Sequence, residues 1–231
     1  VGTSVPALCG NLRKDSIMIC WVAGWPHNGS TICRQILKDS FDMLSVSSYL
    51  ETELEDLFPG SNSFCKEWSG DPEGKFDYYQ SCEKTIFIKT HDIPVDGSPA
   101  IFVYRDGRDA VTALSGFWRF PVEYLIIGAR CHFGSWSGLY HAWNPKKRKK
   151  TLMVKYEDMV KHPNKVAEQI ARFLDVKQVR PYVDDFDEKK KEFPHLFNDR
   201  IGVWKSKMTD SQLDLFWRCH GHVMEELGYE R

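Results

Sequence analysis

The amino-acid sequence predicts a doubly wound α/β domain, a parallel β-sheet flanked by helices, and three observations carry the prediction. Four short runs are almost wholly apolar: "SIMICWV" (16–22), "TIFIKT" (85–90), "AIFVY" (100–104) and "TLMVKY" (151–156). Strands buried on both faces of a parallel sheet read this way, without polar alternation. Helical periodicity fills the segments between them. Polar or glycine-containing loops then follow the runs at their carboxyl ends, where α/β folds bind ligands. A chain of 231 residues exceeds an average domain of about 100–200 residues yet suits one α/β unit, so residues 1–231 are read as a single domain.

The first run leads into "GWPHNGST" (24–31), whose glycines have the spacing of a P-loop, G-x-x-x-x-G-K-[ST], and a helix is predicted to begin near Ser30. From Leu44 to Gln80 the periodicity is weak and turn residues recur, so this stretch is read as loops or a lid. The strands at 85–90 and 100–104 follow, the second running through Arg105 into a helix that carries Thr112 and Ser115. "KKRKK" (146–150) is read as a solvated loop ahead of the strand at 151–156. Pro163 opens a helix with Val166, Ile170, Phe173 and Leu174 on one face. Thr209 and Gln212 have capping-box spacing. The last helix they open carries Leu213, Phe216, Trp217, His220, Met224 and Leu227 on its apolar face, and Gly228 stops it.

With 31 Lys+Arg against 32 Asp+Glu, the balance of charge predicts neither nucleic acid nor an anionic membrane as partner, and any anion has to be held by a local site. The seven cysteines are odd in number, scattered and without a C-x-x-C pair, which suits a reduced, cytoplasmic protein. No run is apolar enough for a membrane span or a signal peptide, although "VGTSVPALCG" is compatible with a trimmed start. "CHGH" (219–222) is a poor zinc motif, because residues one or two apart on a helix do not face each other; no metal is expected.

Three loops offer chemistry. A strand, a tight glycine turn and a helix starting at Ser30 aim free backbone N–H groups and a helix dipole at one point, which suits an anion. Ser30 stands where nucleoside triphosphatases place the phosphate-binding lysine, so a simpler phosphate fits better than ATP. "IKTHDIP" (88–94) sets Lys89 and His91 on the same side of an extended segment, and histidine, with an unperturbed pKa of about 6.5, suits a general base near neutral pH. In "YRDGRDAVTALSGFW" (104–118), Arg105 suits bidentate phosphate recognition; the alternative is a surface salt-bridge cluster of Arg105, Asp106, Arg108 and Asp109.

Together these stretches resemble the sulfotransferase family that uses 3′-phosphoadenylyl sulfate (PAPS), which has a P-loop NTPase-like fold. "WPHNGST" resembles the family's 5′-phosphosulfate loop, "IKTHDIP" its K-T-H-L-P element and "VYRDGRDAVTALSGF" its 3′-phosphate segment. "VKYEDM" and "RIGVWK" resemble the later Y-E-D and G-x-W-K elements, and all five fall in the family's order. The resemblance implies that Asn28, Gly29, Ser30 and Thr31 hold the 5′-phosphosulfate, Arg105 takes the 3′-phosphate, Tyr156 approaches the adenine, and Arg200 and Gly202 close over the 3′-phosphate. It makes His91 the general base with Lys89 beside it, and places Trp25, Phe64, Trp68, Asp92, Phe117 and Phe120 around the acceptor.

The departures from the family pattern are specific. His27 stands at the place of a loop cation, and to replace it the imidazole must be protonated. Ile32 replaces an adenine-stacking tryptophan and Ile201 a phosphate-binding lysine. The 3′-phosphate serine aligns with Ala113, leaving Thr112 or Ser115 as substitutes. The activity implied is transfer of a sulfuryl group from PAPS to a hydroxyl or amine of a small-molecule acceptor, releasing the 3′,5′-bisphosphate of adenosine (PAP), without metal; a homodimer is left open. The alternatives are a divergent P-loop kinase and a PAP-binding protein whose catalysis has decayed.

Overall fold

The computed structural model describes residues 19–43, 45–49, 85–129, 131–185, 187–188, 191 and 201–231. Four of its strands coincide with the apolar runs: β1 (Ile19–Ala23), β3 (Ile86–Thr90), β4 (Ala100–Tyr104) and β5 (Thr151–Lys155). A fifth, β2 (Ser45–Ser47), is too short and too polar to show in the pattern. It is fastened to helix α1 (Ser30–Phe41) by the buried Arg34, which donates to the Ser45 hydroxyl and, at 2.9 Å, to the Ser45 carbonyl. The remainder of the Leu44–Gln80 stretch, apart from residues 45–49, lies outside the described residues, as do Ser16–Met18.

All strands are parallel, in the order β2-β3-β1-β4-β5. The side on which strands are added switches at β1: the chain moves out to β2 and β3 on one side, then crosses to β4 and β5 on the other. This is the topological switch at which α/β sheets open a crevice beyond the strand ends.

Because side chains alternate across a strand, each strand feeds two cores. Ile19, Trp21 and Ala23 of β1, with Ala100 and Phe102 of β4, face helices α2 (Gly107–Trp118), α3 (Val122–Ile126), α4 (Trp136–Trp143) and α8 (Asp210–Glu226). Cys20 and Val22, with Ile101 and Val103, face α1, α5 (Tyr156–Lys161) and α6 (Pro163–Leu174). Burial on both faces is why the runs carry no polar alternation, and the predicted doubly wound architecture is found.

The helix signals are realised locally. Pro163 is the first residue of α6. Thr209 and Gln212 form the reciprocal capping box of α8, and Gly228, at φ 77°, ends it with Tyr229 N–H donating to the Met224 carbonyl at 2.9 Å. Between α8 and the preceding chain lies α7 (Trp204–Lys207). In the basic 146–150 loop ahead of β5 the lysines are exposed, as predicted, with Lys146 paired to Glu226 at 3.3 Å, whereas Arg148 is half-buried and donates to the Ser98 carbonyl at 2.6 Å. No helix among the described residues is long and apolar enough to cross a membrane.

Candidate active site

The carboxyl ends of the adjacent strands β3, β1 and β4 bring the three predicted loops together. The β1 loop is a tight backbone cradle. Gly24 admits no side chain, since a Cβ there would lie 2.4 Å from the Val103 carbonyl oxygen. Gly29, at φ 103°, caps α1 and would put a Cβ 2.4 Å from the Tyr156 ring. Among the described residues no side chain caps the start of α1, and its first turn holds no acidic residue. Its first-turn N–H groups have no intrahelical acceptors and carry the positive end of the helix dipole. Asn28 and Ser30 are buried there; Asn28 donates its amide to the Val103 carbonyl at 3.2 Å, and its Oδ1 is buried without a hydrogen-bond partner.

His91 follows β3, is buried, and its Nδ1 lies 2.6 Å from the Gly24 carbonyl oxygen. A carbonyl only accepts, so Nδ1 carries the proton and Nε2 keeps the free lone pair. Burial above all, then the Lys89 cation, holds the imidazolium form of His91 well below the usual histidine range. The ring is neutral at pH 7, with its basic nitrogen fixed. Lys89 is buried next to it and lies 5.0 Å over the Tyr49 ring.

His27 is the residue read as a loop cation, a role that needs the imidazolium form. Burial, then the charges of Arg105 and Lys89, lower its pKa to about 3, so in the ligand-free protein it is neutral at pH 7. Its backbone is left-handed, at φ 59°, and its ring lies 5.5 Å from that of Phe117.

After β4, the Arg/Asp group proves buried rather than superficial: Arg105, Asp106, Arg108 and Asp109 are at most 7 % exposed. Arg105 donates to the His27 carbonyl at 3.2 Å and stacks 4.2 Å over Tyr156. Asp106 caps α2 and takes Arg108 in a bidentate pair at 3.0 and 2.8 Å. Asp109 accepts from the N–H groups of Gly202 at 2.7 Å and Trp204 at 3.0 Å.

The other predicted residues have distinct surroundings. Ser115 donates its hydroxyl to the Phe120 carbonyl at 2.6 Å and is spent on the turn after α2, whereas Thr112 Oγ1 is buried with no hydrogen-bond partner. Trp25 is 1 % exposed, part of the core, with its indole N–H on the Gly134 carbonyl; it lines no open surface. Tyr156 is buried as the floor under Gly29 and Arg105. The Gly202 N–H is committed to Asp109. Asp92 is exposed, and its backbone carbonyl accepts from Trp143 at 2.8 Å. Phe117 is exposed beside His27, while Phe120 packs against Trp118. Arg200, Phe64 and Trp68 lie outside the described residues.

Two aromatic neighbours of His91 were not predicted. Tyr49 stacks on its ring at 5.4 Å and Phe133 meets it edge-on at 5.3 Å. Tyr49 follows the unrecognised β2, and Phe133 sits in an irregular loop; neither has a periodic signal. Among the described residues, no group of three or more His, Cys, Asp or Glu is placed to hold a metal ion.

A parallel α/β sheet whose first strand runs through a lysine-free P-loop-like turn into a helix, with a neutral histidine tied to that turn, is an arrangement suited to an anion without a nucleoside-triphosphatase lysine. The chain belongs to the sulfotransferase-domain family, whose model matches residues 19–228. Solved structures share the fold: mouse sulfotransferase SULT7A1 complexed with PAP, at 17% identity over 94% of this chain and 90% of that one, TM-score 0.63. Retinol dehydratase in a complex with retinol and PAP aligns at 13% identity over 94% and 84%, TM-score 0.58. The sulfotransferase domain of the Synechococcus PCC 7002 olefin synthase aligns at 16% over 95% and 97%, TM-score 0.56. No curated protein matches the chain.

Proposed function

We propose that this sulfotransferase takes its sulfuryl group from PAPS and passes it to a hydroxyl or amine of a small, flat or apolar acceptor. The observation that carries the reading is the Nδ1–H bond from His91 to the Gly24 carbonyl, which joins the base to the anion loop as one unit. Family membership supports the reaction class, and structures of the same fold are crystallised with PAP.

In this mechanism the 5′-phosphosulfate lies on the N–H groups at Gly29 to Thr31 with the Ser30 hydroxyl. Arg105 takes the 3′-phosphate, and Thr112, with its unpartnered hydroxyl, is the helix hydroxyl that completes that shell. His91 Nε2 accepts the proton of the acceptor hydroxyl or amine as the acceptor atom attacks sulfur in line. The new bond to sulfur forms while the sulfur-to-bridging-oxygen bond breaks, and PAP leaves with that oxygen. Lys89 is the cation for the charge that develops there; His27, neutral, serves as a hydrogen-bonding group. Catalysis is mainly positioning and preorganised dipoles, as in phosphoryl transfer. The rings of Tyr49 and Phe133 beside His91 favour a flat or apolar acceptor.

Calorimetry with PAP, and separately with ATP plus Mg²⁺, followed by turnover of PAPS against a panel of phenols, alcohols and amines, tests this. PAP binding with product sulfation is expected; tight ATP binding without a response to PAP would refute it in favour of a kinase. PAP binding without transfer to any acceptor would favour a decayed enzyme.

A further inference from the structure

We infer that Asp109 is a positioning residue for co-substrate binding: its carboxylate clamps the 201–204 segment onto α2 and steadies Arg105, so that the 3′-phosphate subsite is assembled before the nucleotide arrives. This rests on the PAPS reading above.

A carboxylate 1 % exposed beside a site for an anion needs a reason, because burying it costs free energy unless it is fully partnered, and its negative charge repels an anionic ligand. The partners are present. Asp109 accepts from Gly202 N–H at 2.7 Å and Trp204 N–H at 3.0 Å, and lies 3.9 Å from Arg105 Nη2. Charge-assisted bonds of this kind are about twice as strong as neutral ones. Two of them on residues two apart fix the direction of the chain. Gly202 turns it at φ 78°, and Trp204 begins α7.

The side chain of Trp204 is pinned as well. The Arg108 guanidinium lies 3.9 Å over its ring, itself held by Asp106. A four-residue helix such as α7 cannot hold its own shape, since helix nucleation is unfavourable, so the segment depends on these anchors. Asp109 and Thr112 are three apart on α2 and share a face. The clamp therefore seats on the face of α2 that also carries the unpartnered Thr112 hydroxyl, with Arg105 beside Asp109.

A competing account makes Asp109 only a countercharge for Arg105, and the two accounts predict opposite signs for Asp109→Asn. The variant keeps the shape, removes the charge and leaves one acceptor oxygen for two N–H donors. Positioning predicts that the Kd for PAP and the KM for PAPS both rise about tenfold, the scale of one lost charged hydrogen bond. It also predicts kcat within about twofold and faster amide exchange at Gly202 and Trp204. A mere countercharge predicts tighter PAP binding with unchanged exchange, and that result overturns the inference. The wild type gives an independent reading: in the ligand-free protein those two amides should exchange slowly, and exchange at unprotected rates would overturn the clamp even if the variant fails to fold. Failure of the wild type to bind PAP would sink the PAPS reading, and the affinity role with it, whereas wild-type binding with normal or tightened binding by Asp109→Asn sinks the inference alone.

Discussion

Replacing His91 by alanine should lower kcat by about 10²–10⁴-fold, the usual contribution of a general base, which at 1.36 kcal/mol per tenfold is about 3–5 kcal/mol of transition-state stabilisation. The structure says why the effect falls on kcat. In the proposed reaction His91 serves the proton transfer from the acceptor, with Tyr49 and Phe133 against its ring, while the Ser30 helix start and Arg105 belong to other strands' loops. PAP affinity should change far less than kcat, by at most the roughly tenfold that losing the Nδ1–H bond to the Gly24 carbonyl of the anion loop explains. The pH profile is a second test. The base works when neutral, so activity is lost as pH falls through its folded pKa, which burial and Lys89 hold well below 6.5. Between pH 6.5 and 8 the wild-type kcat/KM should be flat on the acid side. Steady-state kinetics with PAPS and the best acceptor, alongside calorimetry with PAP, measure both. Undiminished turnover in His91→Ala, or an acid limb above pH 6.5 that this substitution removes, would refute the assignment.

Other predictions concern the cradle and the fold. Gly29→Ala forces a side chain into a left-handed position against Tyr156; a stability loss of about 1–3 kcal/mol in urea unfolding is expected, together with lost PAP binding, and an unperturbed variant would contradict the close approach. Thr112→Val should raise the Kd for PAP about three- to tenfold, as loss of one hydrogen bond does, while Ser115→Ala should leave it unchanged; the reverse pattern would assign the phosphate to Ser115. His220, 1 % exposed, lies with Nδ1 2.7 Å from the Ser137 hydroxyl and Nε2 2.8 Å from the Ile126 carbonyl, and burial lowers its pKa from 6.5 to about 4. The unfolded chain then binds the proton more readily, so its contribution is intact above pH 6.5 and falls by about 3 kcal/mol towards pH 4. Subtracting the unfolding free energies of His220→Gln from those of wild type across that range isolates it, and a pH-independent difference would refute the assignment.

The sheet was legible because its chemistry is local. Apolar runs of five to seven residues must be strands covered on both faces, and Pro163, Thr209 and Gly228 mark helix ends by their own backbone requirements. β2 was illegible because three residues reading Ser-Val-Ser carry no pattern; only Arg34, reaching from α1 to Ser45, and pairing with β3 define it. Tyr49 was missed with it.

The site divides the same way. Sequence by itself determined the loop lengths, the glycines at 24 and 29, the His91 and Lys89 pair at a strand end, and hence the family, since these depend on residue type and spacing along the chain. Only the tertiary structure decided which groups carry charge and which donors are free. Charge and hydrogen-bond availability are set by neighbours distant in sequence. Burial, then Arg105 and Lys89, hold the ligand-free His27 neutral, which its position in the motif does not report. The Phe120 carbonyl takes the Ser115 hydroxyl and leaves Thr112 unpartnered, and Asp109 claims the Gly202 N–H across 93 residues of chain. Motif spacing cannot report any of these, because each is an electrostatic or hydrogen-bonding balance struck between strands and helices that only folding brings together.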